Sequence, residues 1–174
     1  MVPDHVLFDS LEKTASNRHR LSEMIERYAS VAALRLGMDA TELRKLTGYS
    51  RARVVGIIER AEAAATDEDR RPPSDPITGR ERIVRELPEL VKLHEDADFL
   101  VHKLARICVI ERGISANELS RRTGHSRDFT QKWVKQIRAE GLHTETVERN
   151  EWYVPRWEEV EPVDPKYIIS PEDA

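Results

Sequence analysis

Gly37-Met-Asp-Ala-Thr-Glu-Leu-Arg-Lys-Leu-Thr-Gly-Tyr-Ser-Arg51 returns 76 residues later as Gly113-Ile-Ser-Ala-Asn-Glu-Leu-Ser-Arg-Arg-Thr-Gly-His-Ser-Arg127. Gly37/Gly113, Ala40/Ala116, Glu42/Glu118, Leu43/Leu119, Thr47/Thr123, Gly48/Gly124, Ser50/Ser126 and Arg51/Arg127 are identical pairs. Each copy reads as a short helix, a glycine turn and a second helix rich in basic and polar side chains. That is the pattern of a helix-turn-helix, whose second helix lies in the DNA major groove. Two copies imply two groove contacts from one chain.

The local chemistry supports the same reading. Asp39-Ala-Thr-Glu42 and Ser115-Ala-Asn-Glu118 have the form of capping boxes, an acceptor side chain followed three residues later by glutamate. Ser50 and Ser126 are expected to cap the second helix of each copy, running to about Ala65 and Glu140. Val54, Ile57, Ile58 and Ala61 form the inward face of one; Thr130, Trp133, Val134 and Ile137 form that of the other. In the first copy Arg44 occupies a site between the helices where such motifs usually hold a small residue, and Ser120, its counterpart, fits better.

Outward from the repeats, apolar residues at helical spacing from Phe8 to Leu36 predict one long or two consecutive helices ending at Gly37. The stretch from Thr66 to Pro76 holds three prolines and several charges, which build no packed element. Thr78-Gly-Arg-Glu81 predicts a helix restarting near Gly79, and Pro88 predicts a stop or kink within it. Asp98 is expected to cap the helix that follows, with Glu95 and Asp96 as neighbouring dipole partners. After the last helix, residues 141–154 are rich in β-formers on either side of Glu148-Arg-Asn150, which predicts a β-hairpin wing.

The expected fold is therefore mainly α: two helix-turn-helix units joined by a helical connector, the second with a β-hairpin wing. The expected domains are 1–66, an N-terminal helix-turn-helix; 67–77, a Pro-rich linker; 78–98, a connector helix; and 99–174, a C-terminal winged unit with an acidic tail.

The net charge of −4 conceals an uneven distribution. The second repeat carries Arg121, Arg122, Arg127, Lys132, Lys135 and Arg138, and the first carries Arg44, Lys45, Arg51, Arg53 and Arg60. Acid gathers in Asp67-Glu-Asp69 and in a tail with Glu158, Glu159, Glu161, Asp164, Glu172 and Asp173. Positive surface is thus expected on the two reading units, where phosphates would be neutralised. In the first unit Ser50, Arg51, Ala52, Val55 and Gly56 are expected to face outward, with Arg53 towards a strand backbone. In the second the outward set is His125, Ser126, Arg127, Asp128, Gln131, Lys132 and Lys135. Arginine pairs bidentately with guanine and glutamine with adenine, while Ala52 or Val55 suits a thymine methyl. The serines and lysines suit phosphates, which position without specifying.

Other chemistries find little support. His5, His19, His94, His102, His125 and His143 show no metal-ligand spacing, and the single cysteine, Cys108, excludes both a cysteine zinc site and an intrachain disulfide. No phosphate loop or nucleophile motif is present, so neither a metal, a small-molecule cofactor nor an enzymatic activity is expected. No apolar run approaches a membrane span, and the start lacks a signal-peptide pattern, so the expected location is the bacterial cytoplasm.

With two helix-turn-helix units at Asp39 to Ala65 and Ser115 to Glu140, a helical connector and an Arg-rich composition, the chain resembles the small immunity repressors of temperate actinobacteriophages. The resemblance implies a monomer that grips a short asymmetric double-stranded site with both units, silences lytic promoters and maintains lysogeny. DNA reading would then fall to Ser50, Arg51 and Arg53 and to Ser126, Arg127, Gln131 and Lys132. Two alternatives stand beside it: a protein-binding adaptor acting on RNA polymerase, and an accessory DNA-binding subunit of a recombinase or nuclease.

Overall fold

A computed structural model describes residues 3–141. Among them are six helices: α1 (Asp4–Leu36), α2 (Ala40–Thr47), α3 (Arg51–Ala64), α4 (Pro76–Glu111), α5 (Ala116–Thr123) and α6 (Arg127–Glu140). The described architecture is all-α, with no strand. The expected β-hairpin wing forms no part of it, and its segment beyond residue 141 lies outside the described residues.

The repeat extends well beyond the fifteen residues that announce it. Helices α5 and α6 match α2 and α3 residue for residue at the 76-residue offset, and α4 matches α1 to within a turn. Buried positions repeat as well: Leu7 with Ile83, Leu11 with Leu87, Leu21 with Ala97, Ile25 with Val101, Tyr28 with Leu104, Leu43 with Leu119 and Ile57 with Trp133. Five of these seven pairs differ in residue type yet share their burial, because core packing constrains volume and apolarity rather than identity.

The described residues divide into two compact units, and each long helix supplies half of itself to each. One unit comprises residues 20–93, holding the second half of α1, then α2, α3 and the first half of α4. Its buried side chains include Ile25, Tyr28, Leu43, Val54, Ile57, Ile83 and Leu87. Tyr28 donates to Glu86 at 3.0 Å, and Arg80 pairs with Glu42. The expected linker, 67–77, falls within this unit.

The other unit combines residues 3–19 with 94–141. Its core brings Leu7, Leu11 and Ala15 of α1 together with Val101, Leu104, Cys108, Leu119, Trp133, Val134 and Ile137. Each fully buried Leu or Ile contributes roughly 1.5–3 kcal/mol, so the first half of α1 is integral to this core. Arg122 pairs with Glu12, and Arg112 with Asp4 at 2.6 Å, tying α1 down at the rim. Burial pushes the Cys108 thiol up to about 12, which leaves it a packing group at neutral pH.

Several local expectations are corrected. Helix α4 opens at Pro76, not near Gly79, because Asp75 accepts from the amides of Ile77 and Thr78 at 3.1 Å and from the Thr78 hydroxyl at 2.6 Å. It also runs unbroken through Pro88. The flanking Ile83, Leu87, Leu90 and Val91 are all buried, and Val84, whose carbonyl loses its helical donor, lies on the exposed face where water can replace it. Asp98 caps nothing: it sits inside α4 and receives Arg18 Nη1 at 2.7 Å. Glu95 and Asp96 likewise lie in mid-helix.

Candidate nucleic-acid interface

The two turns are built alike because their backbone demands are alike. Gly48 and Gly124 adopt left-handed φ values of 68° and 73°, a region where a side chain collides with the following carbonyl. Two residues on, Ser50 and Ser126 take extended cap conformations with nearly equal angles, φ −62°, ψ 153° and φ −61°, ψ 152°. The serine Oγ accepts from the amide of Arg53 in one copy and of Phe129 in the other, at 3.3 Å in both. Thr47 and Thr123, buried below the turn, return their hydroxyls to the carbonyls of Leu43 and Leu119 at 2.8 and 2.7 Å. A shared frame therefore presents the first turns of α3 and α6.

The caps of the first helices differ. Asp39 completes the capping box, accepting from Thr41 and Glu42 amides at 2.8 and 2.9 Å while Glu42 accepts from the Asp39 amide at 3.1 Å. The Ser115 box is only half made: Ser115 Oγ accepts from the Glu118 amide at 3.2 Å, but the Glu118 carboxylate turns to Arg121 and to Arg122, the latter at 2.6 Å. Two guanidiniums outbid one backbone amide for the carboxylate. Partial burial opposes its ionisation, yet the bonds and charges of Arg122 and Arg121 hold it below the usual carboxylate range. Arg44 is exposed and does not enter the space between α2 and α3. Only Ser120 uses that site, donating to the His125 carbonyl at 2.7 Å.

On the outward side, Ser50, Arg51, Ala52 and Arg53 are exposed, whereas Val55 and Gly56 are half-buried. Arg53 lies over the Tyr49 ring, 3.7 Å from its centroid. In the second copy Ser126, Arg127, Asp128, Gln131, Lys132 and Lys135 are all exposed. His125 stands apart from this set. It is half-buried, receives Arg18 Nη2 at 2.8 Å and packs on Phe129 and Trp133 with ring centroids 4.5 and 5.7 Å away. Burial first, then the charges of Arg18 and His102, lower its pKa against the opposing pull of Asp98. Its ring thus supports the turn.

Some of the cations on α3 and α6 pair with no carboxylate among the described residues, although Arg60 of α3 pairs with Glu26 at 3.4 Å. Arg51, Arg127, Lys132 and Lys135 have no ion-pair partner among the described residues, whereas Arg18, Arg80, Arg106, Arg112, Arg121 and Arg122 are each bound to a carboxylate. Arg121 and Arg122, counted with the basic repeat from sequence, are therefore spent on Glu118 and Glu12. Two participants escaped the sequence reading. Phe129 stands four residues after His125 as Arg53 stands four after Tyr49, a signal present in the repeat itself. Arg18 left no such signal, because its partners lie 80 and 107 residues away.

Comparison with protein-family models, curated proteins and solved structures found no match to this chain. Among the described residues, no helix is long and apolar enough to cross a membrane.

Proposed function

We propose that this chain is a sequence-specific double-stranded DNA-binding repressor of the phage immunity type, reading a short asymmetric operator as a monomer. The observation that carries the reading is the repeated frame with an exposed arginine, Arg51 or Arg127, at the first position of α3 and of α6, neither paired with a carboxylate among the described residues. The frame is shared, but the residues around each arginine are not: Ala52, Arg53 and Val55 in one copy, Asp128, Phe129 and Gln131 in the other. Unequal readers select unequal half-sites, so the operator needs no palindrome and no second chain. Arg51 and Arg127 read guanine; Gln131 reads adenine; Lys132 and Lys135 hold phosphates.

Selection from a randomised duplex library at near-physiological salt, with stoichiometry measured on the winning sequence, tests this reading. One chain on an asymmetric consensus is the expected result. A palindromic site with two chains would end the monomer proposal, and unselective binding that vanishes with salt would favour a protein-binding adaptor.

A further inference from the structure

The first turn of α6 displays an aromatic ring where a polyanion is to be met. Phe129 is 44% exposed. Its flanking residues on the outward side, Arg127, Asp128, Gln131 and Lys132, are all polar and exposed. The ring is held rather than loose: it packs against His125 at 4.5 Å and Trp133 at 5.5 Å between centroids. Its own amide is bound to the Ser126 cap. His125 is fixed in turn by Arg18 on one side and, through its carbonyl, by Ser120 on the other. An immobilised apolar ring beside the groove-reading side chains has one sequence-dependent apolar counterpart in the major groove, the C5-methyl of thymine.

The equivalent position in the other unit sharpens the point. Arg53 occupies it and lies over the Tyr49 ring, while Phe129 packs at a tilt of 38° against the His125 ring. The frame therefore presents an aromatic-supported side chain at the third position of each reading helix, cationic in one and apolar in the other. A merely solvated position would not require support by a ring in both copies.

We infer that Phe129 is a specificity-determining residue that contacts a thymine methyl in the half-site read by α6. The inference rests on the DNA-reading function proposed above. Replacing each thymine of the selected duplex in turn by deoxyuridine removes the methyl and nothing else. One such replacement under α6 should weaken binding by the full-length protein about fourfold, the worth of one buried carbon group. Phe129→Ala, with folding checked by its thermal transition, should bind the thymine and uracil duplexes equally. Phe129→Leu should keep part of the preference.

If no replacement weakens the unaltered protein, or if Phe129→Ala is as sensitive to the replacement as the parent, the inference is overturned while DNA reading stands. If no duplex is selected at all, the function proposed above falls and the inference with it. If Phe129→Ala fails to fold, Phe129→Leu carries the test, and an undiminished preference for thymine in that variant would overturn the inference.

Discussion

Arg18 of α1 donates to Nε2 of His125, the residue just before the cap of α6, at 2.8 Å, and to Asp98 of α4 at 2.7 Å. One guanidinium thereby joins the turn of the second helix-turn-helix to both long helices. Since arginine keeps its protons, Nε2 must be the unprotonated nitrogen and the bond requires neutral imidazole.

Acid should therefore loosen this unit. The folded pKa of His125 is lowered by burial and by Arg18 and His102, with Asp98 opposing, and burial also lowers that of His102. An unfolded chain takes up these protons near pH 6.5. Stability is thus fully present above about pH 6.5 and declines as pH falls from there through the lower folded values. Urea unfolding between pH 8 and 5 should show this slope, and His125→Gln should remove its share, leaving that of His102. A pH-independent midpoint for the parent protein would contradict the assignment.

Base reading and phosphate contact separate by salt. Arg127→Ala should cost about 1–3 kcal/mol on the selected site and relax preference at one position. Lys135→Ala should weaken all duplexes alike and lower the salt slope by about one. Equal losses on selected and random DNA for Arg127→Ala would remove it from the base-reading set.

Neither half of the chain should fold alone. A fragment of residues 76–174 lacks Leu7, Leu11 and Ala15, which are buried in the core around α5 and α6. Separate fragments 1–75 and 76–174 should show little cooperative unfolding by circular dichroism, and mixing them should restore it. In the intact chain Leu11→Ala should destabilise by about 2–5 kcal/mol. Independent cooperative melting of either fragment would show that the exchanged helix halves are dispensable.

Gly56 in mid-α3 sits where a methyl would have room, with the nearest atom Arg60 Nη1 at 3.5 Å. Gly56→Ala should stabilise by about 0.5–1 kcal/mol through helix propensity. The added group also thickens the helix beside Arg51, Ala52 and Val55, so affinity for the selected site should fall several-fold. Denaturation and titration on one preparation would check both, and gained stability with unchanged affinity would place Gly56 away from the groove.

Much of the candidate site was legible because its determinants are local. Capping serines, left-handed glycines and the alternation of buried Thr130, Trp133, Val134 and Ile137 with exposed Arg127, Gln131 and Lys132 all act within four residues. What misled was also local. The Ser115 box looked complete until Arg121 and Arg122 claimed Glu118, Pro88 suggested a break that buried neighbours overrule, and Asp98 resembled a cap while facing Arg18.

By itself the sequence determined the two turns, the helices they join and the arginine that begins each second helix, since such features depend on backbone preference and short-range capping. Only the tertiary structure decided which cations are bound to carboxylates among the described residues, that Phe129 is held beside Arg127 and Lys132, and that each long helix is shared between two cores. Those outcomes arise from contacts between residues up to 110 positions apart, such as Glu12 with Arg122, where burial and charge neutralisation depend on the whole packed unit and not on any neighbour in the chain.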